Sequence, residues 1–313
     1  MILPAIGVQH YEHEDYSVLL ATELGARLGL DWAEEDKIKD VITNGGREQH
    51  NGLCEIVSNK VFGIDVDRMD YLRRDSVHYG VVCPFSHKDY LNAFQIVQGD
   101  EKKNKVLFRR DKLSFLNQFL EFRTKLYEEQ YYSHDKLAAC LMITDLFVEN
   151  ESRWRVAEKI QTKEGFLQLD DQLVYSLGRD LHAQSQNSKD IYSRLLNNDT
   201  YQFLGKVTFS RSASKDMILR FIEQKGVDMT KVVVSEGKIN ARKDVQSDFE
   251  IYDGARGEVT LLSDAAEFTL FNKQYHWMQF FCRSKPDEEK LQKIFADILR
   301  ELGTLLKNDA GIN

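Results

Sequence analysis

Residues 63–80 read GIDVDRMDYLRRDSVHYG, with four aspartates, three arginines, two tyrosines and a histidine set between two glycines. Read as a helix, the stretch places Asp67, Tyr71, Arg74, Asp75 and His78 on one face, because steps of three and four residues return to the same side. Val66, Met69 and Leu72 fall on other faces and can pack inward. The shared face joins carboxylates, a phenol and a guanidinium. Carboxylates ligate hard or borderline cations, arginine grips phosphate through a bidentate fork, and tyrosine offers a flat apolar wall with a polar tip. Pattern alone leaves two readings open. One is a solvated face of surface salt bridges, each worth little; the other is a face that meets a metal and a phosphorylated sugar. A calcium loop is excluded, since Asp70 stands where DVDRMDYLRRDS would need its glycine.

Outside this stretch, the totals describe a helix-rich protein able to bury a sizeable core: 313 residues, 42% hydrophobic, 11% aromatic, 29% charged and only three prolines. A net charge of −8 argues against bulk nucleic-acid binding. Cys54, Cys83, Cys140 and Cys282 contain no CxxC pair, so neither a zinc knuckle nor a disulfide framework is suggested. A reducing intracellular compartment, nucleus or cytoplasm, fits this usage. The first residues carry no basic region ahead of an apolar run, and no apolar stretch approaches the ~20 residues a membrane span needs.

EDYSVLLATELGARLGL and DWAEEDKIKDVITNGG read as two helices, the second capped by Asp31 and stopped at Asn44-Gly45-Gly46. LSFLNQFLEFRTKLYEEQYYSHDKLAACLMITDLFVEN is long and helical, with Leu116, Phe119, Leu120, Arg123, Leu126, Tyr127 and Tyr131 at three- and four-residue steps. Further helices are expected around 136–147, 167–178 and 188–197. After about Gly205, KVVVSEGKI, DFEIYDG, GEVTLL and HWMQFFCR read as strands. KPDEEKLQKIFADILRELGTLL follows as an amphipathic helix with a stripe of Leu291, Ile294, Phe295, Ile298 and Leu302. The expected fold is mainly α: a helical lobe over 1–205, then a smaller α+β lobe over 206–313.

EIVSNKVFGIDVDRMDYLRRDSVHYG (55–80) resembles a segment of the SAM-domain and HD-domain dNTP triphosphohydrolases. YEHEDYS, FRRDK, LNQFLEFRTKLYEEQYY, MITDLF and FFCR extend the resemblance more weakly, in order, along most of the chain. Its implications are specific. Asp67 would be a metal-ligand aspartate. Arg68 stands where the family has a lysine that touches the triphosphate. Tyr71 would pack against the deoxyribose and leave no room for a 2′-hydroxyl, Asp75 would hydrogen-bond the sugar, and Arg123 would grip phosphate. Tyr131 matches a tyrosine near the substrate, whereas Tyr127 departs from a histidine. His13 falls where the family has a pocket histidine near the reacting phosphate; taken alone, it reads as a capping or surface residue. The family reaction releases triphosphate and a deoxynucleoside from a dNTP, dGTP among the candidates, with a divalent metal (Fe, Zn, Mn or Mg) activating water.

The same resemblance exposes departures. The family's metal cage joins two histidines and two aspartates, and no His-Asp pair precedes Asp67. Ser133-His134-Asp135 contains the letters but falls on a different helix and reads as an exposed segment. The chain therefore reads as the family fold without its N-terminal helices, with a metal poorly held by Asp67 alone. Arg110, Lys112 and Arg283 match basic residues of the nucleotide site through which family members assemble. Asp89, Asn198 and Gln202 replace basic residues there. The basic run Lys102, Lys103, Lys105, Arg109, Arg110 and Lys112 reads equally as a phosphate-binding patch or a solvated loop. Two functions follow as expectations: a dNTP triphosphohydrolase, or a non-catalytic nucleotide-binding member. The latter would act as a homo-oligomer or with an intact paralogue. A nucleic-acid module and a membrane partner are disfavoured.

Overall fold

The computed structural model describes the chain apart from residues 10–12, 45–51, 60–61, 99–103, 171, 174, 176–184, 210–213, 243–244, 246–247, 267 and 310–313. In chain order its helices are α1 (Ile2–Ala5), α2 (His13–Leu28), α3 (Trp32–Asn44), α4 (Val66–His78), α5 (His87–Asn92), α6 (Leu113–Leu126), α7 (His134–Trp154), α8 (Val156–Lys159), α9 (Lys163–Phe166), α10 (Gln186–Leu196), α11 (Lys215–Gln224) and α12 (Glu288–Asp309). Its strands are β1 (Phe94–Gln98), β2 (Asn104–Arg109), β3 (Gln202–Phe209), β4 (Val232–Asn240), β5 (Glu250–Asp253), β6 (Glu258–Leu261) and β7 (Gln274–Cys282). Among the described residues, no helix is long and apolar enough to cross a membrane. The fold is mainly α, with an α+β C-terminal portion.

Two compact units form, neither contiguous in sequence: Met1–Tyr11 with Tyr131–Ile239 and Gln274–Asn313, and Glu12–Gln130 with Asn240–Lys273. In the first unit, β7 lies between β3 and β4. Trp277 to Cys282 are buried along β7, as expected for a strand covered on both faces. The α12 stripe packs there: Leu291, Phe295, Ile298 and Leu302 join Leu204, Val207, Ile218, Ile222, Met278 and Phe280 in one core. At Gly205 the β3–β7 register shifts, and a Cβ there would stand 2.0 Å from Leu299 Cδ1. A side chain there would adopt a strained φ of +148° and push the end of Leu299 aside, so glycine suits this approach of helix to strand. The long α7 packs against α1 and α10.

The second unit is built on phenylalanine. Phe62 packs on Phe94, Phe108 and Phe249 with ring centroids 5.4, 5.7 and 5.6 Å away. Phe85 does the same with Phe115, Phe119 and Phe122 on α6. These offset and edge contacts add to the burial of each ring. The four-stranded sheet runs β1-β2-β5-β6, with β2 and β5 parallel.

The structure departs from the sequence reading in three ways. The β1–β2 hairpin and β3 lie in segments read without strands, and α11 lies in a segment read without a helix. The long helical run is broken by a π turn at Tyr127–Tyr131 and restarts at His134. A split at 205/206 is not where the units divide, because Gly205 lies inside β3 and the β5–β6 hairpin completes the sheet begun by β1 and β2. The Gly45-Gly46 stop falls outside the described residues, as do Lys102, Lys103 and residues 171, 174 and 176–178 of the helix expected at 167–178, whose first four residues are turn and bend instead of helix.

Candidate functional site

The deciding stretch is a helix held at both ends. The buried Asp65 carboxylate caps α4, accepting from Arg68 N at 2.9 Å and from Asn59 N at 3.1 Å. Gly80, at φ 65°, closes the other end. Val81 N donates to Ser76 O at 2.8 Å and Gly80 N to Val77 O at 3.2 Å, the pairing of a Schellman cap. Met69, Leu72 and Ser76 face inward. Asp67, Tyr71 and Asp75 lie together on the opposite side, Asp67 exposed and the other two half-buried.

Across from α4 stands α6, and the two helices bring Tyr71 to Arg123 and Tyr127. The Tyr71 hydroxyl hydrogen-bonds both side chains. Arginine only donates, so the phenol oxygen accepts from Arg123. The Arg123 guanidinium lies over the Tyr127 ring, 4.9 Å from its centroid. Burial, and then the neighbouring Tyr127 phenol, push the Tyr71 hydroxyl up to about 12 against the opposing pull of Arg123. Tyr71 is therefore a neutral hydroxyl at physiological pH, held at its tip beside a guanidinium.

Arg68 is positioned differently from the sequence expectation. Its Nη1 donates to Asp65 at 2.6 Å and to Asn59 O at 3.4 Å, so the guanidinium braces the helix cap. Arg74 pairs with Asp70 at 2.5 Å on the exposed side. His13 begins α2, but its side chain lies outside the described residues. Tyr131 ends the π turn, with Lys136 Nζ 5.4 Å from its ring centroid.

A metal cage can be tested directly. Among the described residues, no three His, Cys, Asp or Glu side chains gather as ligands, and Asp67 is exposed on the first turn of α4. Those residues do not fit a divalent metal held by several preplaced ligands. Ser133-His134-Asp135 caps and opens α7, with His134 and Asp135 exposed and 3.2 Å apart.

The three basic residues matched to the assembly site each meet a carboxylate. Arg110 Nη1 donates to Asp253 at 2.9 Å, tying the turn before α6 to the β5–β6 hairpin. Burial would raise the Asp253 carboxyl, but hydrogen bonds from Ala255 N, Arg256 N and Arg110 outweigh it and hold the group below its ordinary value. Lys112 Nζ lies 3.6 Å from Asp111. In the first unit, Arg283 forms a fork with Asp145 at 2.9 and 3.1 Å, and Tyr201 donates to the same carboxylate at 2.8 Å. This cluster lines a cavity of about 570 Å³ with Glu149, Arg194 and Lys285. Sequence reading missed Asp65, Asp145 and Asp253 as partners. Only Asp65 carried a local signal, an aspartate just ahead of a helix.

No protein-family model matches the chain. Curated relatives do. A deoxynucleoside triphosphate triphosphohydrolase SAMHD1 homolog of Dictyostelium discoideum is 25% identical over 94% of this chain and 59% of its own length. The deoxynucleoside triphosphate triphosphohydrolase SAMHD1 of Bos taurus is 28% identical over 55% of this chain and 31% of its own length. An HD domain-containing protein of Acanthamoeba polyphaga mimivirus is 26% identical over 53% of this chain and 36% of its own length. The chain thus spans 59% of the Dictyostelium protein and about a third of the other two.

Proposed function

The chain belongs to the HD-domain dNTP triphosphohydrolase family, and from that premise we propose that it binds deoxynucleoside triphosphates on the surface shared by α4 and α6. The observation that carries this reading is the meeting of Tyr71 with Arg123. In it, Arg123 supplies charge-assisted hydrogen bonds to phosphate oxygens. The Tyr71 ring lies against the deoxyribose and excludes a 2′-hydroxyl. Asp75, one turn further along α4, accepts from a sugar hydroxyl. Arg68 takes a lesser part, since it would have to leave Asp65 to reach a phosphate.

Hydrolysis is a separate matter. A bound divalent metal would lower the pKa of an attacking water and offset developing charge, but the described residues gather no ligand set around Asp67. The described residues are therefore assigned ligand binding without turnover. Triphosphate release from dGTP, measured with Mg²⁺, Mn²⁺ or Fe²⁺, should be slight or nil, while calorimetry should detect dGTP and tripolyphosphate binding that Arg123→Ala weakens. Metal-dependent release abolished by Asp67→Ala would overturn the binding-only assignment. Failure to bind dGTP at all would overturn the site.

A further inference from the structure

Resting on that site reading, we propose that Tyr127 is a specificity-setting residue, one side chain that couples phosphate binding to rejection of ribose. Its ring carries the Arg123 guanidinium, and its hydroxyl holds the tip of Tyr71. Two contacts support this. The guanidinium lies over the ring face at 4.9 Å, within the range where ring quadrupole and cation attract. The contact restrains the position of the guanidinium, and a bidentate donor held in place meets phosphate oxygens at less cost in order. The second contact is the hydrogen bond between the two phenols. With one lone pair of Tyr71 taken by Arg123, this bond pins the phenol from another side. A wall that excludes a hydroxyl works only if it cannot swing aside.

The backbone supplies an independent observation. Tyr127 opens the π turn Tyr127–Tyr131, a geometry rare in proteins and frequent at functional sites. Its amide still donates to Arg123 O and Thr124 O, so the last turn of α6 and the wider turn share this residue. Tyr127 is thus anchored by main-chain bonds at the point where its ring meets Arg123. It acts on the ligand through Arg123 and Tyr71, which makes it a positioning residue.

The two arms of the proposal separate by mutation. Tyr127→Phe keeps the ring and loses the hydroxyl; Tyr127→Leu loses both. Affinities for tripolyphosphate, dGTP and GTP are measured for wild type, both variants and Arg123→Ala. Circular dichroism checks folding, and the isotope-labelled Cζ resonance of Tyr71, assigned with Tyr71→Phe, reports its hydrogen bonding. Tyr127→Phe should bind tripolyphosphate like wild type, shift the Tyr71 resonance and lose about threefold or more of the preference for dGTP over GTP. Tyr127→Leu should in addition weaken tripolyphosphate binding by about tenfold. An unchanged preference in Tyr127→Phe, or unchanged tripolyphosphate affinity in folded Tyr127→Leu, overturns the proposal while a weakened Arg123→Ala leaves the site standing. Wild-type binding by Arg123→Ala would instead sink the site reading, and this proposal with it.

Discussion

Arg123 in the α4–α6 corner and Arg110 in the turn before α6 are both arginines of the second unit that sequence matching assigns to phosphate. The structure gives them different company. Arg123 is met by the phenols of Tyr71 and Tyr127, whereas Arg110 is met by the buried carboxylate of Asp253. Arg283, in the first unit, follows Arg110, with its fork closed on Asp145. A phenol orients a guanidinium and leaves its positive charge in place. A carboxylate cancels that charge and turns the residue into a cross-link. The difference teaches that a basic residue at a family position is not yet an anion site; its nearest acid decides.

The sharpest way to break the contrast is to truncate each arginine in turn. Arg123→Ala should weaken tripolyphosphate binding about tenfold or more, the usual worth of a charge-assisted hydrogen bond. Isothermal calorimetry reads this directly, and unchanged affinity would place Arg123 with the cross-links. Arg283→Ala should leave that affinity alone and cost stability instead, about 1 kcal/mol once solvent screening of the half-exposed pair is counted. Urea denaturation followed by circular dichroism tests it.

Acid sharpens the comparison for Asp253. Its carboxyl is held below the ordinary value in the folded chain, so the stability it contributes is complete above that value. It is lost as pH falls below about 4 and through the folded pKa. Asp253→Asn should melt below wild type at neutral pH, and the gap should close as acid protonates the native carboxyl. A constant gap across that range would show that charge plays no part in the cross-link. The smallest effect is expected at Asp67. With metal chelated, Asp67→Ala should leave dGTP affinity unchanged, and a clear loss would mean that the exposed carboxylate touches the ligand itself.

Legibility in the sequence followed locality. The α4 face could be read because its residues lie within a few turns of one another and both ends carry capping residues. The α12 stripe was legible for the same reason, at three- and four-residue steps. Tyr71 and Arg123 required the resemblance, since nothing in either helix alone says that the two will meet. The β1–β2 hairpin was missed because FQIVQ carries no clean alternation, Val97 following Ile96 directly; the basic run across 102–112 drew the reading toward a charged loop. Pairing of β2 with β5 joins Phe108 to Ile251, a contact between distant segments that no local pattern encodes. The carboxylates that close Arg110 and Arg283 are equally remote: Asp253 and Asp145 sit on elements that only the fold brings near. Tyr127 is the instructive case. It reads as a departure from a family histidine, yet its ring and hydroxyl meet both of the residues on which the proposed site depends.

The π turn at Tyr127–Tyr131 also bears on how this chain should be aligned with its relatives. Such a turn holds one residue more than the regular turn it replaces, and one residue of helix is a rotation of about 100°. Ungapped matching across these five positions assumes that the relatives share the extra residue. Against a relative with an unbroken helix, equivalences would be sound up to Arg123 and displaced by one from Tyr131 onward. The count of residues between two matched motifs is therefore itself a structural measurement, and at this turn it separates positions that can be transferred between relatives from positions that must first be re-indexed.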